Sequence, residues 1–460
     1  MRVLLLATDL YSRGGVARYS AALAAAFAEC LGEQNVDALA LLDWGLAADS
    51  GVLRAEVMGS RVNLASKLRY VWRAWRRVRS GYDLVVATHV CAAPVAALLR
   101  AWFGTPFWVV CHGSEVWGRL SRLKRAALER ADRLLPVSQF TAEKLFREHG
   151  LSPLRTWVVY NSIPERFAQM LWEETPHPPS YVGHPLPRER EPQLPGPPSC
   201  LGLPLPSERE PQKAPVPSTR GEGGPRPATS PAGAGRVRGQ FGSDADPFIL
   251  SVGGMSRASA YKGVDRVIRA LPKILAVVPD AHYVVVGEGD RREELASLAA
   301  REAVSQHVQF VGEVSDTELA CLYRSCCVFV MPSRAFEQNG NWCGEGFGRV
   351  YVEAALAAKP VVAGRAAGAA EAVLEGETGW LVDPESTDEI AAAVARLLTS
   401  PTLAAKMGRR AREWARENFT QAAMCRVLEK MLAPMKEGAR CEVAEAGSWK
   451  LEIGNWKSEI

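Results

Sequence analysis

The chain has 460 residues, 47% apolar and 23% charged, and a net charge of +4. That length supports two or more domains with substantial cores, the composition is that of an ordinary folded protein, and so small a charge argues against a nucleic-acid partner. Residues 1–171 nevertheless hold 22 Lys and Arg against 14 Asp and Glu, so the first part of the chain is set up for an anionic partner, either a membrane surface or a phosphorylated substrate.

The opening MRVLLLATDL carries an apolar run too short for a signal peptide and of the right length for a buried strand. No stretch approaches the length of a membrane-spanning helix. The helical pattern GGVARYSAALAAAFAEC follows. In the loop between them, Gly14 and Gly15 let backbone amides approach a ligand, and the helix N-terminus favours negative charge. The full GxGxxG spacing is missing, so a bound phosphate and a plain tight turn stand on about even terms.

Residues 61–79 read RVNLASKLRYVWRAWRRVR. Leu64, Leu68, Val71, Trp72, Trp75 and Val78 form one helical stripe. Lys67, Arg69, Arg73, Arg76, Arg77 and Arg79 occupy the other faces, with no acid between Arg61 and Arg79. Such a helix can lie on an anionic membrane; the competing reading packs the stripe on its own sheet with the arginines in water. The strands DLVVATH and FWVVCHG come next, then strand and helix in RLLPVSQFTAEKLFREHG, with Gly150 as the stop. His112 leaves the second of these strands beside Gly113, where an imidazole can bond substrate oxygens or shuttle protons. A structural histidine is the commoner case. Alternating strands and helices imply a parallel sheet covered on both faces.

From residue 173 to 246 Pro, Gly, Ser, Glu and Arg dominate, and PLPREREPQ recurs as PLPSEREPQ. This tract cannot bury enough apolar surface to order itself and reads as a proline-stiffened linker or insertion. A second doubly wound domain follows over residues 247–436. Its strands are PFILSVGG, AHYVVVGEG, VQFVGEV, CCVFVMPS, PVVAG and GWLVDP, with helices over residues 265–277 and 290–302 and a last helical stretch over 386–436. The loop VGGMSRASAYKGVD offers Arg257 and Lys262, and two cations beside a helix N-terminus suit a diphosphate leaving group. A merely solvated basic loop is the alternative. Ten scattered cysteines without a CxxC pair or a histidine cluster predict reduced thiols and no metal site. The tail, residues 437–460, contains WKLEI and WKSEI.

The segment CGEGFGRVYVEA sets Glu345 in a glycine loop and Glu353 eight positions later. A helix starting near Gly348 leaves the amides of Phe347, Gly348 and Arg349 aimed at a cleft. Glu353 then lies about 7 Å along the axis, at about 1.5 Å per residue. That separation favours two grips on one long ligand over an acid and base acting on one bond.

EGFGRVYVEA followed by AKPVVAG resembles the E-x7-E signature of the family 4 retaining glycosyltransferases. GGVARYS, HGSE, VVYNSIP, YKGVD, VGEGD, FVGEVSDTELACLY, MPS and TGWLVDP occur in that family's order. The resemblance covers nearly the whole chain apart from the proline-rich tract and the tail. It implies a GT-B fold: two Rossmann-like domains facing a central cleft, with residues 1–172 on the acceptor side and 247–436 binding the nucleotide sugar. It implies that Gly15 approaches the donor diphosphate, that His112 contacts the donor sugar near the reacting carbon, and that Lys262 and an arginine neutralise the diphosphate. Glu345 would bond sugar hydroxyls, near the amides of Phe347 and Gly348, and Glu353 would hold the ribose diol. The reaction implied is metal-independent hexosyl transfer with retention and no cofactor beyond the donor. Cell-envelope glycolipid or polysaccharide synthesis is the expected setting, and the unbroken positive face of residues 61–79 adds the expectation of a lipid-linked or glycan acceptor, with the chain in the cytoplasm at the inner face of the membrane. One departure stands out: the family's strand before the diphosphate loop ends Gly-Arg, whereas this chain has Gly253-Gly254, which shifts the expected arginine to Arg257. A nucleotide-sugar-binding or scaffolding protein with weakened catalysis is the alternative.

Overall fold

The computed structural model describes residues 1–12, 14–42, 54–58, 63–172, 247–338 and 341–436. The proline-rich tract, the tail with its repeat, and Arg61 lie outside the described residues. The first lobe is built on β1 (Val3–Ala7), β2 (Val36–Ala40), β3 (Arg54–Val57), β4 (Leu84–Ala87), β5 (Phe107–Cys111) and β6 (Arg133–Pro136). These form one parallel sheet in the order β3-β2-β1-β4-β5-β6. β1, β4 and β5 are continuous apolar runs buried along their whole length, as strands covered on both faces must be.

The second lobe starts with β7 (Phe248–Val252), β8 (His282–Val286), β9 (Val308–Gly312) and β10 (Val328–Met331). An antiparallel hairpin of β11 (Ala335–Gln338) and β12 (Asn341–Gly344) precedes β13 (Val361–Gly364) and β14 (Gly379–Val382). The order β14-β13-β10-β7-β8-β9 repeats the plan of the first sheet. In each sheet the chain order reverses beside the first strand, between β1 and β4 and between β7 and β10. Ligands of doubly wound sheets bind beyond the carboxyl ends of the strands at such reversals. The loops emerging there carry Gly14, Thr88 and His112 in one lobe and Gly253, Lys262 and Glu345 in the other.

The apolar runs expected as strands are all strands. β2, β3 and the β11–β12 hairpin were not anticipated. Asp37 breaks the apolar pattern of β2 yet is 6% exposed, because Arg77 Nη1 donates to it over 2.9 Å and the Tyr82 hydroxyl also donates to it. The last helical stretch is three helices, Thr387–Thr399, Pro401–Asn418 and Gln421–Lys436, split where Pro401 opens a new first turn and Thr420 caps the next. The final helix returns to the first lobe, where Gln421 Nε2 donates to the Ala22 carbonyl at 3.2 Å. One apolar cluster therefore runs from Phe27 and Trp108 through Phe347 to Phe419 and Leu428. Among the described residues no helix is long and apolar enough to cross a membrane.

Candidate active site

The loops after β5 and β12 meet glycine on glycine. Gly113, at φ +142°, would place a Cβ 3.0 Å from the Gly346 Cα, and a Cβ on Gly346 would stand 2.0 Å from the His112 carbonyl oxygen. No side chain fits at either position. His112 is thereby pinned at the junction of the two lobes. Its Nε2 lies 2.8 Å from the Thr88 carbonyl; a carbonyl only accepts, so Nε2 carries the hydrogen and Nδ1 presents a lone pair. Tyr19 packs edge-on at 5.0 Å and His89 stacks at 5.8 Å. Burial pulls the His112 imidazole down to about 4. With Nε2–H committed to Thr88, the neutral ring turns Nδ1 outward as a hydrogen-bond acceptor.

His89 was missed by sequence reasoning. It follows VVAT at the end of β4 as His112 follows WVVC at the end of β5, and that parallel was its signal. The Cys91 amide donates to His89 Nδ1 at 3.1 Å, so its hydrogen sits on Nε2. Burial pulls it too down to about 4.

In the second lobe, Lys262 Nζ lies 3.1 Å from Glu345 Oε2, with the two side chains 16% and 15% exposed. Burial acts to lower the lysine, but the Glu345 carboxylate outweighs it and holds the ammonium above its ordinary value. The same carboxylate, with burial, pushes the neighbouring Tyr261 up to about 12. Gly253 makes room for this lysine: a Cβ there would stand 2.8 Å from Lys262 Cδ. Arg257 does not join them. Its side chain is 81% exposed and its Nε stands 3.8 Å from Asp290 Oδ2, because it opens the 3-10 turn Arg257–Lys262 that Lys262 closes. A side chain at Gly254 would meet Ser259 Oγ at 3.4 Å, ordinary contact.

The helix expected near Gly348 spans Arg349–Leu356, and Gly348 is its N-cap at φ +85° with no side-chain cap. A Cβ on Gly348 would approach the Tyr351 ring to 2.3 Å. Phe347 is buried, its ring 5.2 Å from that of Tyr160. Glu353 is 3% exposed. One of its oxygens accepts from the Tyr323 hydroxyl at 2.9 Å and the other from Arg349 Nη2 at 3.3 Å. The two glutamates thus hold separate sets of partners, Lys262 for Glu345 and Tyr323 with Arg349 for Glu353. In the first lobe, Gly14 caps the helix Gly15–Leu31 in extended conformation, and a Cβ on Gly15 would meet nothing within 4 Å. Internal packing does not demand that glycine, and the space beside it is open.

A carboxylate also crosses between the lobes. Glu371, from the turn Ala367–Ala372, accepts the amides of Gln139 and Phe140, each at 2.7 Å, at the start of the helix Gln139–His149. The same turn meets the loop after β12 through the Gly368 amide, which donates to the Glu345 carbonyl at 3.2 Å. Burial raises the Glu371 carboxyl to about 7.

The basic helix spans Leu64–Arg79, and its expected stripe divides. Ser66, Tyr70, Ala74 and Val78 are buried against the sheet. Leu64, Leu68 and Trp72 stand 73%, 62% and 48% exposed, and Leu98 and Trp102 are exposed on the helix Ala93–Phe103 that packs against this one. Arg73 and Arg77 pair with Glu56; Lys67, Arg76 and Arg79 have no acidic partner among the described residues.

Residues 13–167 match the family model described as Glycosyltransferase Family 4, and residues 237–414 the model described as Glycosyl transferases group 1. A GDP-mannose-dependent alpha-(1-6)-phosphatidylinositol monomannoside mannosyltransferase of Mycolicibacterium smegmatis is 37% identical over 210 residues, which are 46% of this chain and 54% of that protein. The chain spans about half the length of the curated relatives it matches. Among solved structures, Anabaena Alr3699/HepE in complex with UDP-glucose is 20% identical with a TM-score of 0.66, covering 94% of this chain and 99% of that one. Sucrose-phosphate synthase from Thermosynechococcus elongatus is 18% identical with a TM-score of 0.65, covering 95% and 100%. The fold is that of the GT-B glycosyltransferases.

Proposed function

We propose, for a chain that carries the two domains of the family 4 glycosyltransferases, that it transfers a hexose from a nucleotide-sugar donor to a glycolipid acceptor with retention of anomeric configuration. The buried Lys262–Glu345 pair, opposite His112 across the Gly113–Gly346 contact, carries this reading. His112 Nδ1 accepts a donor-sugar hydroxyl, Glu345 bonds others, and Glu353 holds the ribose. Lys262 meets the charge that grows on the departing diphosphate, with the amides of Phe347, Gly348 and Arg349 beside it. Gly14 and Gly15 admit the donor's phosphates from the other lobe. With cationic side chains in that role, the reaction needs no metal and continues in excess EDTA.

The relatives named as GDP-mannose-dependent mannosyltransferases of phosphatidylinositol monomannoside support mannose as the sugar and a membrane glycolipid as the acceptor. The exposed apolar and basic face of Leu64–Arg79 supports work in the cytoplasm at the inner membrane face. A donor-binding protein with weakened catalysis is the second reading, favoured by the exposure of Arg257. Turnover of GDP-mannose with a phosphatidylinositol glycolipid separates the two, read as product and as its anomeric configuration by NMR. Loss of turnover in Glu345→Ala, His112→Ala and Lys262→Ala supports the proposal. Absence of turnover in the unsubstituted protein with every nucleotide sugar rejects it.

A further inference from the structure

Arg349 is an unusual place to keep a charge. Its side chain is 7% exposed. Nη2 reaches Glu353, but Nε and Nη1 are buried without a hydrogen-bond partner. Leaving buried donors of a charged group unpaired is costly, and native structures seldom do so without a ligand or water to complete the set. Burial lowers the guanidinium's affinity for its proton, and the field of Arg18 acts in the same direction. Arg18 comes from the opposite lobe, one turn after Gly14 and Gly15, and is held by Asp316 Oδ1 at 3.2 Å. Asp316 opens the helix Asp316–Ser325, whose Tyr323 donates to the same Glu353 that Arg349 holds, so two guanidiniums from two lobes converge on neighbouring helix starts, each tied to one carboxylate.

We infer that Arg349 and Arg18 form an interlobe grip for the diphosphate of the nucleotide-sugar donor, an assignment that rests on the transferase reading above. A phosphate group supplies several acceptor oxygens in the geometry a guanidinium fork matches. It relieves the repulsion between the two arginines and gains from the uncapped helix N-terminus. The grip also spans the lobes, so bound diphosphate ties Arg18 to the helix that carries Glu353. A free phosphate offers the same chemistry, but Arg349 already holds Glu353 on the helix that follows the Glu345 loop. A ligand shared with those carboxylates is the donor.

The test titrates GDP, guanosine and inorganic phosphate separately into the unsubstituted full chain and into Arg18→Met, Arg349→Met and Arg349→Lys. Loss of one charged hydrogen bond predicts GDP affinity lower by about tenfold to a hundredfold in both Met variants, with guanosine unchanged and Arg349→Lys intermediate. The GDP affinity of the unsubstituted chain should also fall more steeply with salt than that of either variant. Equal losses for guanosine and GDP would mean that Arg349 only positions Glu353, and would overturn the grip. A loss confined to inorganic phosphate, or no loss in any arm, overturns it as well. Arg18 is partly exposed, so Arg18→Met keeps the question decidable should Arg349→Met fail to fold. Glycosyl transfer is followed separately: arginine-dependent GDP binding without transfer rejects the catalytic reading and leaves the grip standing, whereas no GDP binding by the unsubstituted chain removes both.

Discussion

The two lobes share one strand order and place their charges in opposite ways. In the second lobe the candidate charges are buried: Lys262, Glu345, Arg349 and Glu353 are nearly closed off from water, and each has a partner of opposite charge. In the first lobe the distinctive charges lie outside, on Leu64–Arg79, and the groups at the strand ends are the half-buried rings of His89 and His112, which burial keeps neutral, with the buried Tyr19 packed against His112. A lobe that must stabilise a leaving diphosphate needs fixed charges in a water-poor setting, where they are worth most. On the proposed function, a lobe that receives a membrane-borne acceptor needs neutral hydrogen bonding within and adhesive surface without. The largest effects should therefore come from breaking the buried pair. Lys262→Ala and Glu345→Ala should each lower kcat by about 10²–10³-fold, and the double variant should lose less than the product of the two, because one removed partner already disables the other. Steady-state rates at saturating donor check this. Equal, additive losses would show that the two act separately.

That contrast also explains what was legible. The second-lobe loops are short, glycine-punctuated and adjacent to apolar strands, so Lys262, Glu345 and Glu353 stood out. Arg349 looked like a helix-start amide. Its buried partner Glu353 is held in turn by Tyr323, thirty positions away, which local spacing does not reveal. β2 and β3 were hidden because Asp37 and the polar run RAEV break the strand pattern; Arg77, forty residues from Asp37, repairs it. The stripe of Leu64–Arg79 was legible as a pattern, but periodicity does not say which of its rows meets the sheet. Tyr70, Ala74 and Val78 meet it, and Leu64, Leu68 and Trp72 do not.

The outward face of the first lobe predicts the next effect. Leu68→Glu and Trp72→Glu should each weaken binding to phosphatidylglycerol vesicles by about tenfold, since burying one large apolar side chain contributes about 1.5–3 kcal/mol. Sedimentation at low and high salt measures it, with salt reversing the basic contribution. Glycosyl transfer to a soluble acceptor should be untouched. If both functions fall together, the face is packing the protein and not a membrane.

Where the lobes meet, smaller effects are expected. Glu371→Ala leaves two amides at the start of Gln139–His149 without their acceptor, at a cost of about 1–3 kcal/mol by thermal or urea unfolding. The stacked histidines set a pH dependence. Both titrate near 4 in the folded chain, below the ordinary histidine value of 6.5. The unfolded chain therefore binds more protons between those values, and stability present above pH 6.5 is lost as pH falls toward 4. His89→Gln and His112→Gln should each flatten that acid limb. Unchanged limbs would mean that the two rings charge freely in the fold.

The smallest effect belongs to Arg257, and its size is itself informative. An exposed guanidinium 3.8 Å from an exposed carboxylate is screened by water and contributes little, so Arg257→Ala should change donor affinity by less than about twofold. Gly254 is the contrasting site. A side chain there meets only ordinary contacts, and its backbone is not in the left-handed region, so Gly254→Arg should fold as the unsubstituted chain does. If Lys262 and the Arg18–Arg349 grip already neutralise the diphosphate, the added cation should raise kcat only slightly. A large gain in Gly254→Arg would mean that the leaving group is under-neutralised. A large loss in Arg257→Ala would mean that the exposed arginine folds inward over the donor, and the division between a buried donor lobe and an outward-facing acceptor lobe would no longer hold.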